Sequence, residues 1–142
     1  MIYFDTPHAI LVHDEIIYKS GGAHGILNIG LLESVLRHIQ NDDYYPSIEH
    51  KITHIVYSIN KNHAFKDGNK RSSIALAAYF MEINGLVYCI NRFLEEMENI
   101  AVDVADNRID KQILQEIVEA IIYKGEYSEE LKLKLIWAKQ RQ

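Results

Sequence analysis

The sequence predicts an all-α fold: a compact, single-domain helical bundle over residues 1–142. Three observations predict it. Apolar residues recur at helical spacing in one segment after another, as in Phe93, Met97, Ile100 and Val104. Capping and stop residues separate these segments: Thr6-Pro7, Ser47, Asn84-Gly85, Asp110, Lys124-Gly125 and Ser128. Strands and helices do not alternate along the chain, which disfavours a parallel sheet.

In order, Thr6 caps a first helix and Pro7 occupies its first turn, with Ile10, Ile16 and Ile17 facing the core. Gly21-Gly22 ends it. Residues 21–30 form the one glycine-rich segment, and no strand precedes it, so it is not a dinucleotide fingerprint. Leu31, Leu32, Val35, Leu36 and Ile39 form the next helix, closed by Asn41-Asp42-Asp43 and Pro46. Ser47 then caps a helix whose apolar face is Ile48, Ile52, Ile55, Val56 and Ile59. On that helix His50 and His54 stand four apart, a chelating spacing, yet no third ligand is evident and both read as surface or interhelical residues. His8, His13 and His38 belong to no constellation. After residue 71, Ala75, Ala77 and Ala78 permit close packing up to the cap at Asn84-Gly85. Asp110 caps a helix with two apolar rows, Ile113, Ile117, Ile121 and Leu114, Val118, Ile122, wide enough to be well buried. A last helix spans 128–142 with Leu131, Leu135 and Trp137, packing on the domain or on a partner.

Composition excludes several classes. At 48% apolar and 25% charged residues the chain is an ordinary globular protein, and its length buries about two-thirds of the unfolded surface without a disulfide or structural metal. A net charge of −5 disfavours direct binding to nucleic acid or an anionic membrane. The lone Cys89 reads as a small core residue in a reducing compartment. Charged residues from Asp5 onward interrupt any signal peptide, and the longest apolar run, Ile74–Met81, is too short to span a bilayer. The expected location is the cytoplasm.

The chemistry concentrates in residues 63–71, His63-Ala64-Phe65-Lys66-Asp67-Gly68-Asn69-Lys70-Arg71, a loop between two helices whose second half opens the second one. The first amides of a helix lack intrahelical acceptors and, with the helix dipole, form a seat for anions. Gly68 allows a sharp turn and a close approach to a ligand. Asn69 can cap the helix or bind a phosphate oxygen. Lys70 and Arg71 add a point charge and a bidentate fork for phosphate. Asp67 is a hard oxygen ligand suited to magnesium, which usually arrives with a nucleotide and takes few protein ligands. His63 suits removal of a proton from a hydroxyl near neutral pH. Phe65 reads as a core anchor fixing the loop. Base, metal ligand, phosphate seat and cations together are what phosphoryl or nucleotidyl transfer needs.

The pattern His63-x-Phe65-x-Asp67-Gly68-Asn69-Lys70-Arg71 resembles the signature of the Fic/Doc (Fido) family, specifically its death-on-curing (Doc) toxin branch. Other Fic proteins carry Gly where Lys70 stands, Pro where Ala64 stands and a second Arg where Ile74 stands; these differences set the Doc branch apart. A looser likeness covers Gly21–Ile26 and Gly30–Ser34, although Leu27-Asn28 stands where the family often has Arg-Asp. The resemblance implies a Fido-type helical bundle with a short β-hairpin flap at 21–30, though a plain interhelical loop fits those residues as well. It implies transfer of the ATP γ-phosphate, with Mg2+, to a hydroxyl of a translation factor, elongation factor Tu-like, by a growth-arresting toxin. His63 is then the catalytic base, Asp67 the metal ligand, and Gly68, Asn69, Lys70 and Arg71 bind ATP phosphates. Two alternatives stay open: AMP transfer by the same loop with the nucleotide reversed, and a catalytically inactive nucleotide- or protein-binding module. Many Fic proteins have or pair with an inhibitory Ser/Thr-x-x-x-Glu-Gly/Asn helix. Here Glu98-Asn99 is the sole Glu-Gly/Asn pair and Leu94 stands four before it, so a separate antitoxin protein is the expected partner.

Overall fold

The computed structural model describes residues 1–140 and contains, among them, seven α-helices and no sheet. They are α1 (Thr6–Ser20), α2 (Ile29–His38), α3 (Ile48–Asn62), α4 (Asn69–Ile83), α5 (Ile90–Ala105), α6 (Lys111–Glu119) and α7 (Glu129–Gln140). A 3-10 turn at Val87–Cys89 leads into α5, and a π-helical turn at Ala120–Lys124 extends α6 to Gly125. The expected all-α bundle is therefore observed. The last two residues of the predicted 128–142 helix lie outside the described residues.

The central element is α3. It packs against α2, α4, α5 and α6, most extensively against α4. Ile52, Ile55, Val56 and Ile59 are fully buried on it, and each such side chain stabilises the fold by about 1.5–3 kcal/mol. Opposite them lie Leu76, Ala77, Phe80 and Met81 of α4 and Phe93, Met97 and Val104 of α5, all fully buried. α3 and α4 thus form a closely packed pair, and the nonapeptide spans the loop joining them and the first turn of α4. α1 lies across α4 and α2.

One local signal lands a residue from where the sequence puts it. The cap of α1 is Asp5, whose carboxylate accepts from the His8 amide at 3.0 Å; Thr6 is already helical. Asp110 caps α6 as expected, accepting from Ile113 N at 2.8 Å. Ser128 caps α7 through Leu131 N at 3.1 Å, but Trp137 on that helix is 70% exposed and takes no part in the core. Residues 21–28 do not form a hairpin. One antiparallel bridge, Ile26 to Phe65, ties the segment to the nonapeptide instead.

The α3 histidines part company. His50 is half-buried, whereas His54 is buried with Nδ1 2.9 Å from Lys111 Nζ and 3.2 Å from Ser58 Oγ. Burial, then the Lys111 and His38 charges, push its pKa down to about 3. The unfolded chain binds that proton near pH 6.5 and the folded chain does not, so stability falls as pH drops below about 6.5 towards 3. Each pH unit in that window should remove up to about 1.4 kcal/mol. Melting temperature measured against pH should show this slope in the native chain, and His54→Phe should flatten it.

Candidate active site

The nonapeptide is closed by its own side chains before anything else touches it. Asn69 brackets Phe65: its Oδ1 accepts from Phe65 N at 3.1 Å and its Nδ2 donates to Phe65 O at 2.9 Å. Phe65 is fully buried, the anchor the sequence suggests. Asn69 is buried too, and its amide holds the loop's shape while the residue also lines the cleft.

The segment at 22–28 clamps the outside of the loop. Lys66 N donates to Gly25 O at 3.0 Å, and Leu27 N and Asn28 N both donate to Ala64 O, at 2.8 and 3.0 Å. Ala23 N donates to Asp67 Oδ2 at 3.0 Å. Gly22 makes this approach possible: its φ is +120°, and a Cβ there would lie 2.5 Å from that same oxygen.

Asp67 carries an electrostatic signature of its own. The amides of Ala23 and then Gly68, the latter at 2.8 Å from Oδ1, hold its pKa below the usual carboxylate value, with the Arg71 and His13 charges adding to the effect. The side chain stays ionised and 46% exposed. Each oxygen accepts one backbone hydrogen and keeps a lone pair for a cation. Among the described residues no group of three His, Cys, Asp or Glu gathers to hold a metal, so a dedicated cage is absent. A single hard carboxylate of this kind fits magnesium delivered with phosphates.

His63 ends α3 in a left-handed conformation, φ 52° and ψ 46°, uncommon for a residue other than glycine. The Asn62 side chain accepts from Ala64 N at 3.1 Å and secures this turn. The His63 side chain is exposed and makes no hydrogen bond to the described protein. Gly68 caps α4 and is also left-handed at φ 76°, so the amides of Asn69, Lys70 and Arg71 stand free of intrahelical acceptors at the helix N-terminus.

A cleft of about 480 Å3 gathers these parts, lined by Asn60, Lys61, His63, Lys66, Asp67, Gly68, Asn69, Lys70, Ala105 and Asn107. Five of the six predicted site residues share it. Arg71 does not line it. Its guanidinium donates to Ser20 Oγ at 2.6 Å and Gly21 O at 2.9 Å, and lies 3.8 Å from Asp67 Oδ1, so it fastens the end of α1 to the loop. Lys61 and Lys66 add cations to the wall beyond Lys70. A larger hollow of about 590 Å3 near the N-terminus holds none of the nonapeptide.

One residue that the sequence left without a role enters here. His13 of α1 is fully buried; its ring stacks on Phe65 with centroids 3.8 Å apart and planes 3° from parallel, and its Nε2 lies 2.6 Å from Asp67 O. The signal was a polar residue in the buried row Ala9, His13, Ile17.

No helix among the described residues is long and apolar enough to cross a membrane. The model of the Fic/DOC family matches residues 3–81, which run from α1 through the cleft into α4. A curated relative, "Toxin Doc" from Mycolicibacterium smegmatis, is 31% identical over 94 residues, covering 63% of this chain and 72% of the relative. The family match spans more than half the chain and includes the whole of residues 63–71, and with this relative it shows that the protein belongs to the Fic/DOC family, on the Doc branch.

Proposed function

We propose that the chain is a Doc-like toxin that transfers the γ-phosphate of ATP to a hydroxyl group of a target protein. The observation that carries this reading is the placement of Lys70: it stands in the cleft, in the first turn of α4, on the same wall as Asp67 and His63. Related Fic proteins with Gly at this place leave room for a nucleotide whose α-phosphate lies next to the base. A lysine side chain fills that room and puts a compact cation there. Ile74 supplies no second arginine for that pose.

In the proposed reaction His63 accepts the proton of the target hydroxyl. The new bond joins the hydroxyl oxygen to the γ-phosphorus, and the bond from γ-phosphorus to the β-phosphate oxygen breaks, releasing ADP. Lys70 and the free amides of α4 neutralise the transferring group. Asp67 would hold magnesium, which supplies charge neutralisation to the phosphates when bound. The sequence resemblance makes a translation factor the favoured target. The relative's name, the Leu94/Glu98-Asn99 departure from the inhibitory pattern and the Doc-branch loop support a separate antitoxin whose disordered tail folds on binding.

Incubation of the protein with lysate and ATP labelled at either position tests this. Label should reach a protein from the γ position and not from the α position, and Lys70→Gly should reduce γ transfer. Label arriving from the α position would replace this reading with AMP transfer, and no label from either, with intact folded protein and magnesium present, would favour the inactive module.

A further inference from the structure

We infer that His13 is a positioning residue for Asp67, holding the peptide between Asp67 and Gly68 in the one orientation that aims the Asp67 carboxylate; its metal-binding consequence rests on the proposed function. The imidazole occupies a wholly buried site on α1 where Ala9 and Ile17 show that an apolar side chain would pack. Burying an incompletely paired polar group carries a free-energy cost. His13 bears that cost: Nδ1 has no hydrogen-bond partner, and the nearest carboxylate oxygen, Asp14 Oδ1, is 3.6 Å away. The other nitrogen is fully used. A carbonyl can only accept, so Nε2 carries the hydrogen and donates to Asp67 O at 2.6 Å.

Gly68 explains why that bond is needed. With φ at +76° and no Cβ, it leaves the preceding peptide plane free to rotate. Among the described residues no other donor reaches Asp67 O. The neighbouring anchors act elsewhere: Asn69 on Phe65, and Gly25 O on Lys66 N. Rotation of the peptide would carry the Gly68 amide away from Asp67 Oδ1, which it now meets at 2.8 Å. His13 thus selects the conformer in which Gly68 N and Ala23 N both point at the carboxylate. Its stacking on Phe65 fixes the ring that makes the bond.

The test pairs His13→Phe, which keeps a stacking ring and loses the donor, with His13→Gln, which returns a donor near the Nε2 position. The Gly68 amide resonance and its hydrogen exchange report the loop directly. The signal should shift or exchange faster in His13→Phe and return towards native in His13→Gln. Manganese titration in the presence of ATP should show affinity about 10- to 100-fold weaker for His13→Phe, in line with the loss of an outer-shell partner of a metal ligand, with a recovery in His13→Gln. An unchanged Gly68 signal and native manganese affinity in a folded His13→Phe protein would overturn the inference. Asp67→Asn is the control for the parent reading: if it leaves manganese binding intact, the metal role of Asp67 falls, and the Gly68 signal still decides the role of His13.

Discussion

His63→Ala should lower phosphate transfer by about 100- to 10,000-fold while ATP binding and the melting temperature stay near native. The expected separation follows from how the residue is held. Its side chain is exposed and bonded to nothing in the described protein, so its removal leaves no buried partner unsatisfied. The turn is secured by other groups instead: the Asn62 side chain accepts from Ala64 N, and Ala64 O accepts from the amides of Leu27 and Asn28. Only the left-handed backbone at φ 52° is sensitive to the replacement, and His63→Asn controls for it, because asparagine tolerates that conformation but is no base. Both variants should lose transfer together, measured as initial rate with γ-labelled ATP and as nucleotide affinity by calorimetry. Near-native transfer by either one would remove His63 from the role of base.

Much of the fold and half of the site's logic were legible because they are local. Helical spacing put Phe93, Met97, Ile100 and Val104 on one buried face, and that is where they lie. The nonapeptide identified the cleft because its spacing around a helix start is itself the chemistry. The remainder depends on contacts between residues far apart in sequence. Arg71 reaches back to Ser20 and Gly21, and His13 reaches forward to Asp67. No local pattern encodes either pairing; both arise because α1 crosses α4 with its C-terminal end beside the loop. Asn69 reads as a cap or a phosphate ligand from its position at a helix start, and packing adds a job that no local pattern encodes, the bracket around Phe65. The 21–30 segment reads as a hairpin by resemblance, yet its glycines and its single bridge make it a strap over Ala64–Asp67.

That strap supports the second large effect: Gly22→Ala should cripple magnesium-dependent transfer although Gly22 does not line the cleft. Two penalties act there. The backbone at φ +120° is one that side-chain-bearing residues rarely adopt, which costs about 1–3 kcal/mol. The added Cβ would also lie 2.5 Å from Asp67 Oδ2 and 3.1 Å from both Arg71 Nη2 and Ile17 Cδ1. The strap must lift, removing the Ala23 amide from the carboxylate, or Asp67 must swing away. Either movement loses an amide that now keeps the carboxylate ionised and aimed. Transfer should fall about 10- to 100-fold, the cost typical of losing an outer-shell partner. Gly21→Ala is the matched control, since its φ is +85° and nothing lies within 4 Å of the position of its Cβ. It should share the backbone penalty, read as a melting-temperature loss of about 2–4 °C per kcal/mol, and keep most of its activity. If the two variants lose activity equally at equal stability, backbone strain alone accounts for the loss, and the contact between Gly22 and Asp67 does not matter for transfer.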